Sequence, residues 1–125
     1  MAKTSTSSNA IINAEFRGAA LGAPSIWYVA LFVSGVEVSG NGYTRAAVAA
    51  DSSHWNAASG GATANTLTIT YTTPTGSWGT VDSAKLMDAS TSGNAWYTGS
   101  LVAPATVNTG EIVTFAAGAL TVTES

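Results

Sequence analysis

The sequence predicts an all-β fold: a single β-sandwich or jelly-roll-like domain preceded by an N-terminal arm and a short helix. Short runs rich in β-branched and aromatic residues recur along the chain, and clusters of Gly, Asn, Ser and Pro separate them. A length of 125 residues suits one such domain. We therefore divide the chain into an arm at 1–8, a short helix with a linker at 9–22, and a sandwich at 23–125.

The first regular element after the polar leader is predicted to be a helix at about 9–20. Ser or Asn at its start can cap it, and Ile12 and Phe16 lie four residues apart on one face. Either Gly18 or Gly22 can end it. We expect the leader before this helix to form an extended arm that adds to a neighbouring subunit.

Two different sequence patterns, a continuous apolar run and an alternating one, predict the strands. Ile26–Val33 is apolar at every position, which is typical of a strand covered on both faces. The segment 66–72 alternates, so Leu67, Ile69 and Tyr71 are expected to face the core while the threonines face outward. Further strands are predicted at 43–49, 81–89, 95–102, 112–115 and 119–123.

Turn residues mark the boundaries between these strands. Asn41 and Gly42 tolerate positive φ and predict a tight hairpin. Glu37 and Arg45 flank that hairpin and are expected to pair across it. Pro104 is expected to lie beyond the end of a strand, because proline cannot donate a backbone hydrogen bond.

The composition excludes several classes of function. Only 9% of the residues are charged, against about a quarter in an average protein. The net charge of −3 and the lack of a basic cluster argue against nucleic-acid binding and against electrostatic binding to membranes. The chain has no cysteine, no apolar run of membrane-spanning length and no apolar segment like that of a signal peptide. We expect a protein that oligomerises and needs no cofactor.

One predicted loop contains the residue types of a hydrolase triad, but their positions in the sequence do not favour the geometry of a triad. Asp51, Ser52, Ser53 and His54 are consecutive, whereas a triad is assembled from separate elements with an oxyanion hole. We predict a solvated loop and no catalytic residue. The only histidine and the scattered carboxylates also lack metal-ligand spacing, so we predict no metal. A calcium site built from oxygen ligands is a minor alternative.

Two tryptophans are candidates for exposed contacts. Most aromatic residues lie in strand patterns, where core packing is the default. Trp55 and Trp78 fall in predicted loops instead. Exposed aromatic side chains mark recognition surfaces, so these two are the candidates for a glycan contact.

Four motifs in a fixed order carry a resemblance to a known family. They are Tyr28–Phe32, Glu37–Arg45, Trp78–Val81 and Phe115–Thr123. The sequence resembles small virion proteins of tailed bacteriophages, labelled tail-fibre or structural proteins, over about 9–124. The segment between the first two motifs is shorter than usual. Similar β-sandwich proteins serve as capsid decoration proteins, and the resemblance implies no active site.

The resemblance implies a non-enzymatic virion protein that is made in the cytoplasm of the host bacterium. We expect a capsid decoration (cement) protein that bridges subunits of the major capsid protein, with a homotrimer as the first hypothesis. The alternative is a tail fibre, adaptor or baseplate component that contacts host glycans. A second alternative is a carbohydrate-binding module. The residues expected at the assembly interface are Lys3, Thr4, Ser5, Asn9, Ile12, Phe16 and Arg17.

Overall fold

The computed structural model describes residues 1–124 as a β-sandwich with one N-terminal helix. The elements are β1 (Ala2–Lys3), α1 (Ser5–Arg17), β2 (Ile26–Val33), β3 (Val36–Glu37), β4 (Ala46–Ala49), β5 (Ala62–Ala64), β6 (Ile69–Thr70), β7 (Gly79–Met87), β8 (Ala95–Val107), β9 (Thr114–Phe115) and β10 (Thr121–Thr123).

Eight of the strands form one large sheet, and β6 pairs with β9 in a second, two-stranded sheet. The order in the large sheet is β3-β2-β7-β8-β1-β10-β5, and β4 also pairs with β2. Strands β3 and β4 therefore share one edge of β2, while β7 occupies the other. The short N-terminal strand β1 lies inside the sheet, between β8 and β10.

Strand β2 is buried on both faces, as its continuous apolar sequence predicted. Val29 and Leu31 are fully buried in the main core, which contains residues of both sheets. Ala30 and Phe32 alternate with them and belong to a smaller cluster. The two pairs lie on opposite faces of the sheet, because successive side chains of a strand point to alternate faces. The predicted bounds of this strand are confirmed.

The prediction of a long alternating strand at 66–72 is wrong in its extent and in the position of Leu67. Only Ile69–Thr70 is a strand, and Leu67 is 53% exposed, although Ile69 and Tyr71 are buried as expected. The cause is Asn65, a buried residue whose side-chain amide donates to the Leu67 carbonyl at 2.8 Å. This local bond replaces ladder pairing and turns the backbone out of the sheet.

The helix begins earlier than predicted, and the leader is not an extended arm. Thr4 is the N-cap, with its hydroxyl accepting the Ser7 amide at 3.4 Å, so the helix includes residues assigned to the arm at 1–8. Ser and Thr are favoured caps wherever the helix can start, and the sequence offers several in this stretch. Of the two glycines predicted as possible ends of the helix, Gly18 is the C-cap, with the left-handed φ of 69° that glycine adopts easily.

Strand β8 continues through Pro104 instead of ending before it. Ser83 pairs with Ser100 and Val81 pairs with Ala105, so residues 101–104 bulge opposite a single residue of β7. A bulge makes no regular ladder bond, and proline therefore fits there without loss. The bulge is apolar: Val102 is fully exposed, while Leu101 packs against the main core.

Candidate assembly surface

The first 17 residues form a strand followed by a helix, which we call the N-terminal unit. In β1, Ala2 pairs antiparallel with Thr98 of β8 and parallel with Thr123 of β10. The strand has only two residues, yet it joins the two halves of the large sheet. The N-terminal unit is therefore part of the sandwich.

Hydrogen bonds attach the N-terminal unit to the first residues of β8. The Thr4 amide donates to the Trp96 carbonyl at 2.8 Å, and the Thr4 hydroxyl donates to the Ala95 carbonyl at 2.5 Å. Lys3 forms a salt bridge with Glu124. Two of the predicted assembly residues, Lys3 and Thr4, thus have their polar groups engaged within the chain.

The helix of the N-terminal unit leaves large apolar side chains exposed. Ser7 faces the body of the protein and is fully buried. Ile12 is 54% exposed and Phe16 is 80% exposed. Leu21, just beyond the helix, is 44% exposed. Among the predicted assembly residues, Ser5, Asn9 and Arg17 are exposed as well.

The linker between the N-terminal unit and β2 makes few contacts. Residues 18–25 are exposed except for the partly buried Pro24. Within the described chain, no hydrogen bond involves residues 20–24; the nearest ones are the helix-end bond of Ala19 to Asn13 and the bond from Ala50 to the Ser25 carbonyl. The linker therefore connects two parts of the molecule without fixing the path between them.

The predicted pairing of Glu37 with Arg45 is confirmed, and it anchors a large loop. Arg45 donates from Nε and Nη2 to the two carboxylate oxygens of Glu37, both at 2.8 Å. Its Nη1 donates to the carbonyls of Ala89 at 2.7 Å and Ser92 at 2.8 Å. The guanidinium thereby ties the β3–β4 loop to the β7–β8 turn.

Tyr43 completes this anchor. It follows Asn41 and Gly42, which form a tight turn with positive φ as predicted, but the flanking strands β3 and β4 pair with β2 and not with each other, so the turn does not make a hairpin. The Tyr43 hydroxyl accepts the Leu31 amide at 3.0 Å and donates to Glu37 at 2.8 Å. Burial raises the pKa of Tyr43 well above its usual value. The hydrogen bond from Arg45 outweighs burial and lowers the pKa of Glu37. The cluster is charged and hydrogen-bonded, as a structural anchor requires.

The structure brings Asp51 and His54 together without forming a triad. His54 Nδ1 lies 2.6 Å from Asp51 Oδ1, and this contact lowers the pKa of Asp51. The same Asp51 oxygen accepts the backbone amides of Ser53 and His54 at 3.0 and 3.1 Å. Among the described hydrogen bonds, none joins His54 to a serine hydroxyl. The arrangement is a capped turn, in which the carboxylate satisfies backbone donors.

The prediction that Trp78 is exposed is wrong. Trp78 is only 5% exposed, and its indole nitrogen donates to the Asn41 carbonyl at 2.9 Å. Tyr43 and Tyr71 contact it edge to face, with ring centroids 5.4 and 6.4 Å away. The β3–β4 loop thus covers this side chain, because a bulky ring at a strand end is stabilised by burial when its N–H has a partner.

Trp55 is partly buried and lines a small cavity. Its indole nitrogen donates to the Ala49 carbonyl at 3.1 Å, which fixes the ring. Trp27 and Tyr97 line the same cavity, whose volume is about 160 Å³. Of the two tryptophans predicted to make exposed contacts, only Trp55 has part of its surface accessible.

A comparison with known protein families shows the family of this chain. The family described as Podophage GP4 fiber I protein gp80 matches residues 2–123. The chain belongs to this family. The protein is therefore a structural protein of a tailed-phage virion, and the resemblance to phage virion proteins is confirmed. No curated protein matches the chain.

The match to the fiber I family includes both the N-terminal unit and the sandwich. It begins at residue 2, the first residue of β1, and ends at residue 123, the last residue of β10. The N-terminal unit therefore belongs to the family domain. In residues 1–124 no group of three or more potential ligands is placed to hold a metal ion, and no helix is long and apolar enough to cross a membrane.

Proposed function

We propose that this protein is a non-enzymatic building block of a virion fibre, and that it works by binding further copies of itself and other virion proteins. The observation that carries the proposal is the fiber I family match, which spans every strand and the helix. The same family relationship supports a place in the virion after synthesis in the host cytoplasm.

The surface of the molecule supports assembly by apolar contacts. Ile12 and Phe16 lie on the same side of α1 and are largely exposed, although β1 and the N-cap Thr4 bind the start of the N-terminal unit to the sheet. Exposed apolar groups of this size are typical of surfaces that another protein covers. The exposed residues 102–104 of the β8 bulge form a second apolar surface.

The polar side chains that could serve in catalysis make hydrogen bonds that hold a turn and a loop in place. Asp51 and His54 cap a turn, and Glu37 and Arg45 anchor a loop. This supports a protein without catalytic activity.

Capsid decoration is the second candidate, and the exposed threonines of the large sheet favour it. Thr80, Thr98 and Thr106 are exposed on neighbouring strands β7 and β8, and such uncharged side chains suit the junction between major capsid protein subunits. A homotrimer would match a threefold position in such a shell. In this case many weak, identical contacts would supply the binding strength.

Counting copies per particle distinguishes the candidates. Purified virions would be analysed by quantitative mass spectrometry, with the major capsid protein as the internal standard. A small, fixed number of copies supports a fibre, whereas a number that scales with the major capsid protein supports decoration. Absence from the virion contradicts both and favours a free carbohydrate-binding module.

A further inference from the structure

We propose that copies of this chain exchange their N-terminal units, so that residues 1–17 of one copy fill the position between β8 and β10 of another. The proposal rests on the proposed function, because it states how copies in a fibre are joined. The partner is a second copy of this chain, and the contact surface is the sheet position that β1 occupies.

The position between β8 and β10 has to be filled by some strand. β8 and β10 do not pair with each other; each pairs with β1. Without β1, both strands would expose unpaired backbone groups, which is the usual starting point for strand addition from another chain. The required strand is supplied by a segment far away in sequence, since Ala2 pairs with Thr98 and Thr123.

The linker allows the N-terminal unit to reach a neighbour. Residues 18–25 are eight in number and, when extended, span about 26–29 Å. Gly18 and Gly22 have positive φ, and a side chain at either position would meet no atom within 4 Å. The linker can therefore change direction without breaking any packing, which is the requirement for a hinge in segment exchange.

Exchange keeps every contact of the closed chain and adds new ones. The Thr4 bonds to β8 and the pair between Lys3 and Glu124 form equally well within one chain or between two. For this reason segment exchange is an inexpensive route to assembly. Phe16 and Leu21, close to the start of the linker, are exposed, and their apolar surface is available for a contact with a second copy.

Disulfide trapping between differently tagged chains tests the exchange, since the chain has no cysteine of its own. An Ala2→Cys chain and a Thr98→Cys chain are co-expressed, and the purified oligomer is oxidised and separated on a denaturing, non-reducing gel. Directly paired strand residues have Cα atoms close enough for a disulfide. We expect a linked species that carries both tags. In the closed form the two cysteines belong to different molecules and do not link.

The matched control uses Thr80→Cys and Thr106→Cys chains. These threonines are exposed partners in β7 and β8 of a single chain, with hydroxyls 2.9 Å apart, and should give no species with both tags. Equal linking in both mixtures indicates random collision and overturns the proposal. The double variant Ala2→Cys/Thr98→Cys shows whether β1 can close within one chain.

The remaining outcomes are equally decisive. Oligomers in which the double variant links only within single chains overturn the exchange, and so does the absence of any oligomer. A second pair, Ala2→Cys with Thr123→Cys, probes the β10 side of the same position; if neither pair links in any form, β1 does not occupy it and the proposal fails. The fibre role is judged separately by the copy number of the wild-type protein in virions.

Discussion

The Arg45 guanidinium should be a major local source of stability, and Arg45→Met tests this. Methionine keeps much of the aliphatic stem and removes all the donors. The change leaves the Glu37 carboxylate without its bidentate partner. It also removes the donor of the Ala89 and Ser92 carbonyls, and so frees the β3–β4 loop from the β7–β8 turn.

The expected loss of unfolding free energy in Arg45→Met lies between the values typical of exposed and of buried ion pairs. The Arg45 side chain is 6% exposed and the Glu37 side chain is 27% exposed. Exposed pairs contribute about 0.2–1 kcal/mol, whereas removing one partner of a buried pair costs about 3–5 kcal/mol. We expect the free energy of unfolding to fall by about 3 kcal/mol, since Glu37 keeps some access to water. For a domain of this size, that lowers Tm by roughly 10 °C.

The pH dependence of this loss has a definite sign. The pKa of Glu37 is lowered in the folded state, so its contribution is complete above its ordinary value of about 4.3. The contribution disappears as the pH falls through the lowered folded-state value. The difference between the wild-type protein and Arg45→Met should therefore be largest at pH 7 and shrink at pH 3.

Urea unfolding followed by tryptophan fluorescence at both pH values measures these differences. Glu37→Gln is the matched control, because it keeps the shape and some hydrogen bonds of the side chain without the charge. It should lose less stability than Arg45→Met at pH 7 and differ little from the wild type at pH 3. A loss below about 1 kcal/mol for Arg45→Met, or one of the same size at both pH values, would refute the argument.

Three further changes have distinct expected results. Ser7→Ala should stabilise the protein by about 1 kcal/mol in thermal melts, because the buried Ser7 hydroxyl has no hydrogen-bond partner among residues 1–124 and alanine favours helix; a lower Tm would indicate a partner for it. Trp78→Ala should cost about 3–5 kcal/mol by urea unfolding, as expected for a core ring; an unchanged midpoint would contradict its burial. His54→Ala should enter virions at the wild-type level, and loss of infectivity with normal folding and incorporation would contradict a non-enzymatic role.

The sequence predicted those parts of the fold that depend on local patterns. Strand β2 is marked by eight apolar residues between breakers, and its bounds agree with the structure. The pairing of Glu37 with Arg45 followed from their positions on either side of a turn rich in glycine and asparagine. In both cases the residues that determine the structure are close in sequence, so a local sequence pattern is enough to predict it.

The features that the sequence did not predict depend on distant partners. Strand β1 has two residues, too few for any period, and its pairing partners in β8 and β10 lie at the other end of the chain. Leu67 fits the alternation of its neighbours, but the side chain of Asn65 removes it from the strand. Trp78 lies in a stretch typical of a loop, yet another loop folds over it.

The low charge of the chain agrees with the association of copies that we propose. Three of its four cationic side chains are engaged within the described fold, leaving Arg17 exposed at the end of α1. These contacts are Lys3 with Glu124, Arg45 with Glu37, and Lys85 over the Phe32 ring at 4.5 Å from its centroid.

Identical copies with a net charge of −3 repel each other weakly at long range. At physiological salt this repulsion is screened beyond about 8 Å. Attraction between them must therefore come from apolar burial and from backbone hydrogen bonds, neither of which needs charge. Exchange of the N-terminal unit uses both, because β1 contributes backbone pairing while Phe16 and Leu21 contribute apolar surface. A chain with so few charges is thus well suited to joining its copies by sharing a strand.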